Sequence, residues 1–170
     1  MSLNIYLAGP DVFLPDARDI GRRKQSLCRA HGFNGLYPLD ADDSSGDDAA
    51  LIFKANCALM RQADIGLCNL TPFRGPSADA GTLVEVGFLF ALGKPVYGYT
   101  TTALNYRDRV EKDGYGVEDF GLFDNLMIAR AIIESGGAVT MLAEPPDSFK
   151  PPLAAFAAFA ASLRLIAAKA

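Results

Sequence analysis

One histidine and three cysteines are all that 170 residues offer of the ligands zinc prefers. A structural zinc centre needs about four such ligands at short spacing. His31 stands beside Gly32 at an expected helix end and Cys28, Cys57 and Cys68 lie far apart, so no metal is expected. Their odd number, inside expected helices and strands, reads as buried free thiols of a reducing compartment, and the location expected is cytoplasmic. Basic residues are also in short supply: 16 Lys and Arg face 20 Asp and Glu, for a net charge of −4. The longest basic run is Arg22, Arg23, Lys24. Without a basic stripe, neither nucleic acid nor an anionic membrane is an expected partner. Gly93-Lys94 lacks the glycine-rich lead and the following Ser or Thr of a P-loop. GPDVFLPD, from Gly9 to Asp16, is too acidic and proline-rich to cradle a flavin phosphate, and no cofactor is called for. The opening MSLNIYLAGP has no basic leader or long apolar core, so it reads as a strand. The Ala-rich C-terminal segment carries Arg164 and Lys169 and reads as a packing helix, not a membrane span.

Half of the residues are hydrophobic, enough for one domain over 1–170 with a full core. Short apolar runs alternate with helical patterns. Leu3 to Ala8, Phe33 to Tyr37, Ile65 to Leu70, Pro95 to Tyr99 and Ala138 to Leu142 read as strands. Between them, helices are expected from Asp16, as cap, to Ala30, from Ala49 to Ala63, from Asp79 to Lys94 and from Asn125 to Glu134. A last helix follows Pro151-Pro152, with Phe156, Phe159, Leu163 and Ile166 laid on the sheet. Asp40 to Asp48 reads as a loop, and the polar stretch from Thr100 to Asn125 as a flexible or subunit-contacting excursion. This alternation predicts an α/β fold: a flavodoxin-like three-layer sandwich with a five-stranded, mostly parallel sheet in the order 2-1-3-4-5. In that order ligands bind beyond the carboxyl ends of strands one and three.

The stretch DAGTLVEVGFLFALGK, Asp79 to Lys94, stands out. It is apolar almost all round and so is expected to be buried on most sides, yet Glu85 sits in its middle with no Lys or Arg before Lys94. Such an acid is either paired or has a raised pKa. On the preceding helix, Asn56 falls inside the apolar stripe of Ile52, Leu59, Met60 and Ala63, where its amide must find a partner. Tyr6, Gly9 and Pro10 at the end of strand one, the loop Thr71 to Ala78, Asp79 and Glu85 all converge on one crevice if the topology is right.

Two carboxyl groups in one pocket suit glycosyl chemistry, in which an ionised one attacks or stabilises an oxocarbenium-like centre. Burial raises the pKa of Glu85, so a nucleophilic role needs a donor to hold the anion, and the Tyr6 phenol is the best placed. Phe13 and Pro10 offer that pocket an apolar wall; ordinary loop packing explains them equally well.

IYLAGPDVF at Ile5 to Phe13, ADIGLCNLTPFRG, D-x-G-T-x-x-E-x-G at Asp79 to Gly87 and GLFDNLM at Gly121 to Met127 together resemble the nucleoside 2-deoxyribosyltransferases. That resemblance implies a ping-pong transfer of 2-deoxyribose between nucleobases, so the partners would be small deoxynucleosides and free bases. The residue matching Glu85 is the nucleophile, that matching Tyr6 orients it, and that matching Asp79 binds sugar hydroxyls. Asn125, with Met127 beside it, matches a residue lent by a neighbouring subunit, which makes a homo-oligomer obligatory. Asn56 stands where some members carry a proton-donating aspartate and is assigned to base contact alone. The Ala-rich C-terminus departs from members that contribute a terminal carboxylate. Two rivals stand beside this reading: a deoxynucleoside 5′-monophosphate N-hydrolase, in which the position of Asp79 looks like Ser, and a non-catalytic nucleotide-sensing module on the same scaffold.

Overall fold

The structure, a computed structural model, describes residues 2–40, 48–142 and 151–169, with side chains omitted for 151–155. Strands β1 (Asn4–Ala8), β2 (Asn34–Leu36), β3 (Ile65–Asn69), β4 (Val96–Thr100) and β5 (Val139–Met141) form one sheet in the order β2-β1-β3-β4-β5. Every pairing is parallel, so the expected order holds and "mostly parallel" becomes wholly parallel. The helices are α1 (Ala17–Ala30), α2 (Ala49–Gln62), α3 (Ala80–Ala91), α4 (Tyr106–Arg109), α5 (Leu126–Glu134) and α6 (Pro151–Ala167). Short 3-10 turns occupy Pro10–Phe13 and Pro38–Asp40. Of the expected Asp40 to Asp48 loop, 41–47 lie outside the described residues, while Asp48 caps α2 through Ala50 and Leu51 N–H.

Strand alternation divides the core in two. Ile5 and Leu7 join Leu67, Tyr99, Phe159, Leu163 and Ile166 in one cluster; Tyr6 and Ala8 join Cys68, Val86, Leu89 and Ile132 in the other. Successive side chains of a strand point to opposite faces, so Tyr6 is on the face that α3 covers. Helix α3 comes close because Gly66 of β3 lies beneath it: a Cβ on Gly66 would sit 2.6 Å from Leu89 Cδ1. At the far end of α3, the Lys94 ammonium donates to the carbonyls of Met60 (3.0 Å), Arg61 (2.6 Å) and Ala63 at the C-terminus of α2. A cation there complements the helix dipole and ties α2 to α3.

Several expectations need correction. Helix α3 is not buried on most sides: Val86 and Leu89 are inside, but Val84 is 63% exposed, and Phe90 and Leu92 also face outward. A helix on one face of an open sheet buries only the side turned to sheet and neighbours. On α2, Met60 and Ala63 are buried but Ile52 is exposed, so the inward stripe begins later than its spacing suggests. Of the three free thiols only Cys28 and Cys68 are buried; Cys57 is half-buried. Asp16 stands at the N-cap position of α1 without a side-chain capping hydrogen bond. Phe156 is half-buried, with the Arg23 guanidinium 4.2 Å above its ring, whereas Phe159, Leu163 and Ile166 pack as expected. No helix among the described residues is long and apolar enough to cross a membrane.

Candidate active site

Asp79 is the N-cap of α3, its Oδ2 accepting from Thr82 N (3.1 Å) and Thr82 Oγ1 (3.3 Å). The cap sets where α3 begins, and so puts Glu85 over Tyr6. The fully buried Tyr6 phenol donates a 2.5 Å hydrogen bond to Glu85 Oε1. Burial pushes the Glu85 carboxyl from its ordinary value up to about 7; the Tyr6 bond pulls down and the charge of Asp79 pushes up. Burial, then the charge of Glu85, drives the Tyr6 phenol far above its ordinary value. Tyr6 therefore remains a donor at any pH the fold tolerates. Cys68 is likewise raised, first by burial and then by Glu85, and stays a neutral thiol.

Beyond the end of β1, Gly9 has φ 153° and ψ 164°, a region that L side chains rarely adopt. A Cβ there would also lie 2.7 Å from both Asn69 Cβ and Asp11 Oδ2. Pro10 is buried and opens the turn that ends at Phe13. Phe13, 58% exposed, stacks on Phe73 of the loop after β3, with centroids 5.7 Å apart and planes at 13°. The Arg74 guanidinium sits 4.9 Å from the Phe73 centroid and 5.8 Å from that of Phe13. The loops after β1 and β3, which sequence reasoning sends to one crevice, thus meet through an aromatic pair.

Beneath these loops lies a polar network that sequence reasoning missed. Lys24, 2% exposed, donates to Asp11 Oδ2 (2.6 Å) and to the Tyr99 hydroxyl (2.7 Å), and Asn69 Nδ2 donates to the same Asp11 oxygen (3.1 Å). One signal was available: Lys24 continues the inward series Ile20, Lys24, Cys28 at helical spacing, a cation where an apolar residue belongs.

Asn56 is half-buried on α2, and its Oδ1 is shut from solvent with no hydrogen-bond partner. Asn125 is the N-cap of α5: Oδ1 accepts from Met127 N (3.0 Å) and Nδ2 donates to Glu118 Oε1 (2.9 Å). Met127 is 72% exposed. Among the described residues of this one chain, no hydrogen bond joins Asn56, Asn125 or Met127 to Glu85. The chain itself thus brings Tyr6 and Glu85 together, with Asp79 close enough to act on the carboxyl, and Gly9, Pro10 and Phe13 follow on the loop after β1.

A family model described as nucleoside 2-deoxyribosyltransferase matches residues 5–127. A solved 2-desoxiribosyltransferase from Leishmania mexicana superposes with a TM-score of 0.67 at 30% identity, covering 91% of this chain and 96% of that one. An uncharacterised protein of Schizosaccharomyces pombe, C191.05c, is 29% identical over 178 residues, or 86% of this chain and 84% of its own. A CMP N-glycosidase from Clostridium botulinum shares the fold, with a TM-score of 0.56 over 96% of this chain and 98% of that one, at 13% identity. The match spans well over half of the chain, and it runs through the strand that carries Tyr6, the helix that carries Glu85 and the turn that carries Asn125. The chain belongs to the nucleoside 2-deoxyribosyltransferase family.

Proposed function

We propose that the protein transfers 2-deoxyribose between nucleobases through a covalent deoxyribosyl ester on Glu85. The observation that supports this most is the pairing of a half-buried carboxyl, with no salt bridge among the described residues, with the Tyr6 hydroxyl at 2.5 Å. Tyr6 occupies Oε1, so Oε2 is the oxygen that attacks C1′. The C1′–N bond breaks, the base leaves with the electron pair and takes a proton, and the sugar is held as an ester. The ring nitrogen of a second base then attacks C1′, the ester bond breaks, the incoming base gives up a proton to solvent, and the Glu85 carboxylate is restored. Two inversions give net retention. The leaving base draws its proton from solvent in this reading, since an amide at Asn56 is a poor acid; its unpartnered Oδ1 accepts instead from an N–H of the base. Phe13, with Pro10 and Gly9 behind it, walls the base.

Asp79 accepts from sugar hydroxyls, and its charge disfavours a 5′-phosphate. Asn125 and Met127 serve the 5′ side of a neighbouring subunit's sugar. A homo-oligomer is supported by the apolar residues that α2 and α3 leave outward: Leu51, Ile52, Phe53, Val84, Phe90 and Leu92. The second reading, a deoxynucleoside 5′-monophosphate N-hydrolase, is favoured by one observation, the exposed Arg74 guanidinium beside the aromatic wall.

The test is incubation with deoxyinosine, with and without adenine, followed by chromatography. Deoxyadenosine that forms only when adenine is present is the expected result. Hypoxanthine released equally without adenine means hydrolysis and calls for deoxynucleoside monophosphates as substrates. No turnover of either kind returns the chain to the sensing-module reading.

A further inference from the structure

Asn125 is held by more than its own helix. The first N–H groups of α5 have no partner inside the helix. Met127 N–H goes to Asn125 Oδ1 (3.0 Å), and Leu126 N–H goes to Glu118 Oε2 (2.7 Å). The other oxygen of the half-buried Glu118, Oε1, accepts from Asn125 Nδ2 (2.9 Å). Both oxygens of Glu118 are therefore spent on one turn of chain seven residues further on, and one of them is spent on the Asn125 side chain.

We infer that Glu118 is a positioning residue that makes Asn125 a hydrogen-bond donor toward substrate. A carboxylate only accepts, and an amide has one oxygen and two N–H groups. Rotating the Asn125 amide by half a turn would set its NH₂ against Met127 N–H and its oxygen against the Glu118 carboxylate, two like-with-like contacts. The observed orientation is thus fixed from both ends. With one lone pair of Oδ1 given to Met127 N–H and one N–H given to Glu118, Asn125 keeps its second N–H as the donor it can offer. The substrate atom that meets it must accept: a hydroxyl oxygen qualifies, and an ammonium group does not. This rests on the reading that Asn125 serves the 5′ side of the sugar, and it narrows that reading to 5′ substituents bearing an acceptor. A carboxylate that merely closed the loop would affect every substrate alike; one that aims an amide affects only substrates with something to receive it.

The experiment compares kcat/KM for a 2′-deoxynucleoside and its 2′,5′-dideoxy analogue in the wild type, Glu118→Ala, Glu118→Gln, Asn125→Ala and the double variant Glu118→Ala/Asn125→Ala. The wild type is expected to favour the 5′-hydroxyl, Asn125→Ala to cut that preference to what Asp79 supplies, and Glu118→Ala to cut it by about tenfold through lost orientation. The double variant should match Asn125→Ala, since residues acting through one contact are not additive. Equal losses on both substrates, or additive losses in the double variant, overturn the proposal. A preference untouched in Asn125→Ala overturns the Asn125 reading and the proposal with it. Should Glu118→Ala not fold, Glu118→Gln decides, because its amide must lose one of the two accepted bonds. A second readout does not depend on turnover: the Asn125 side-chain amide resonance of ¹⁵N-labelled protein, assigned by its absence in Asn125→Ala. A shift of that resonance in Glu118→Ala, or in Glu118→Leu should the alanine variant not fold, supports the contact and an unmoved one overturns it, even if the wild type transfers no sugar and the function reading itself falls.

Discussion

In the proposed reaction the chemistry turns on a single ionisation, that of Glu85. Its folded-state pKa of about 7 lies above the ordinary value of 4.5, so the folded state binds more protons than the unfolded between those two values. Stability therefore falls as pH rises through that window: below 4.5 both states are neutral at this position and the penalty is absent, and above 7 it is fully present. Glu85→Gln should abolish transfer by a factor of about 10³ or more. It should also raise stability at pH 8 by about 1–3 kcal/mol, an advantage that fades toward pH 4.5 in urea melts. An active Glu85→Gln protein would remove Glu85 as nucleophile. Tyr6→Phe removes the bond that lowers the Glu85 pKa, so the acid limb of the pH–rate profile should move to higher pH, with a loss of about tenfold or more at pH 6. A profile unmoved by Tyr6→Phe would mean that the phenol does not tune the carboxyl. The sequence made Glu85 legible as an acid out of place, and Tyr6 legible as a nearby donor. The Phe13–Phe73 stack was half legible: Phe13 was marked, but nothing in local spacing says that a side chain of the next crossover will lie against it.

At the scale of elements, the loop after β1 is held from within the helix it leads into. Lys24 of α1 neutralises Asp11 in a setting where both are almost fully enclosed, at 2% and 4% exposure. Removing one partner of such a pair leaves an uncompensated charge and costs about 3–5 kcal/mol. Lys24→Met should therefore lower stability by that order in urea denaturation, and Asp11→Asn added to Lys24→Met should recover a good part of it. A double variant no more stable than Lys24→Met would mean that Lys24 acts by packing against Tyr99 and Phe159 and not by charge. Asp124 does similar work on the other side of the site. It accepts from Ser77 Oγ, Ala78 N (3.1 Å) and Asn125 N (2.8 Å), which fastens the loop before Asp79 to the start of α5. The polar excursion that sequence reasoning took as flexible or subunit-contacting is in part tied down in this way: Arg109, at the end of α4, donates to Phe123 O at 2.6 Å. These ties are invisible in sequence because each partner, read alone, is an ordinary surface-type residue. Their burial is a property of the packed loops.

For the molecule as a whole, the apolar outer faces of α2 and α3 are the feature a single chain leaves unexplained. Val84 lies one residue from Glu85 in sequence but about 100° round the helix from it, and is 63% exposed. If that face meets a second copy, Val84→Asp should yield a smaller species in sedimentation velocity. Its circular dichroism should match the wild type, and transfer should drop sharply, since Asn125 would no longer reach a neighbour's site. A variant of wild-type size and full activity would put the interface elsewhere. Exposed apolar residues mark association surfaces where they gather into one patch.

The sequence by itself determined the alternation of strands and helices, the burial of β1, and the odd acid on α3. All of these follow from hydrophobic period and turn residues, which act over a few positions. Only the tertiary structure decided which face of α3 is inside, that Tyr6 reaches Glu85 at hydrogen-bond distance, and that Lys24, Asp11, Asn69 and Tyr99 share one buried network. Those outcomes depend on strand register and on how closely α3 can approach Gly66, distances set between segments tens of residues apart, where local pattern carries no information.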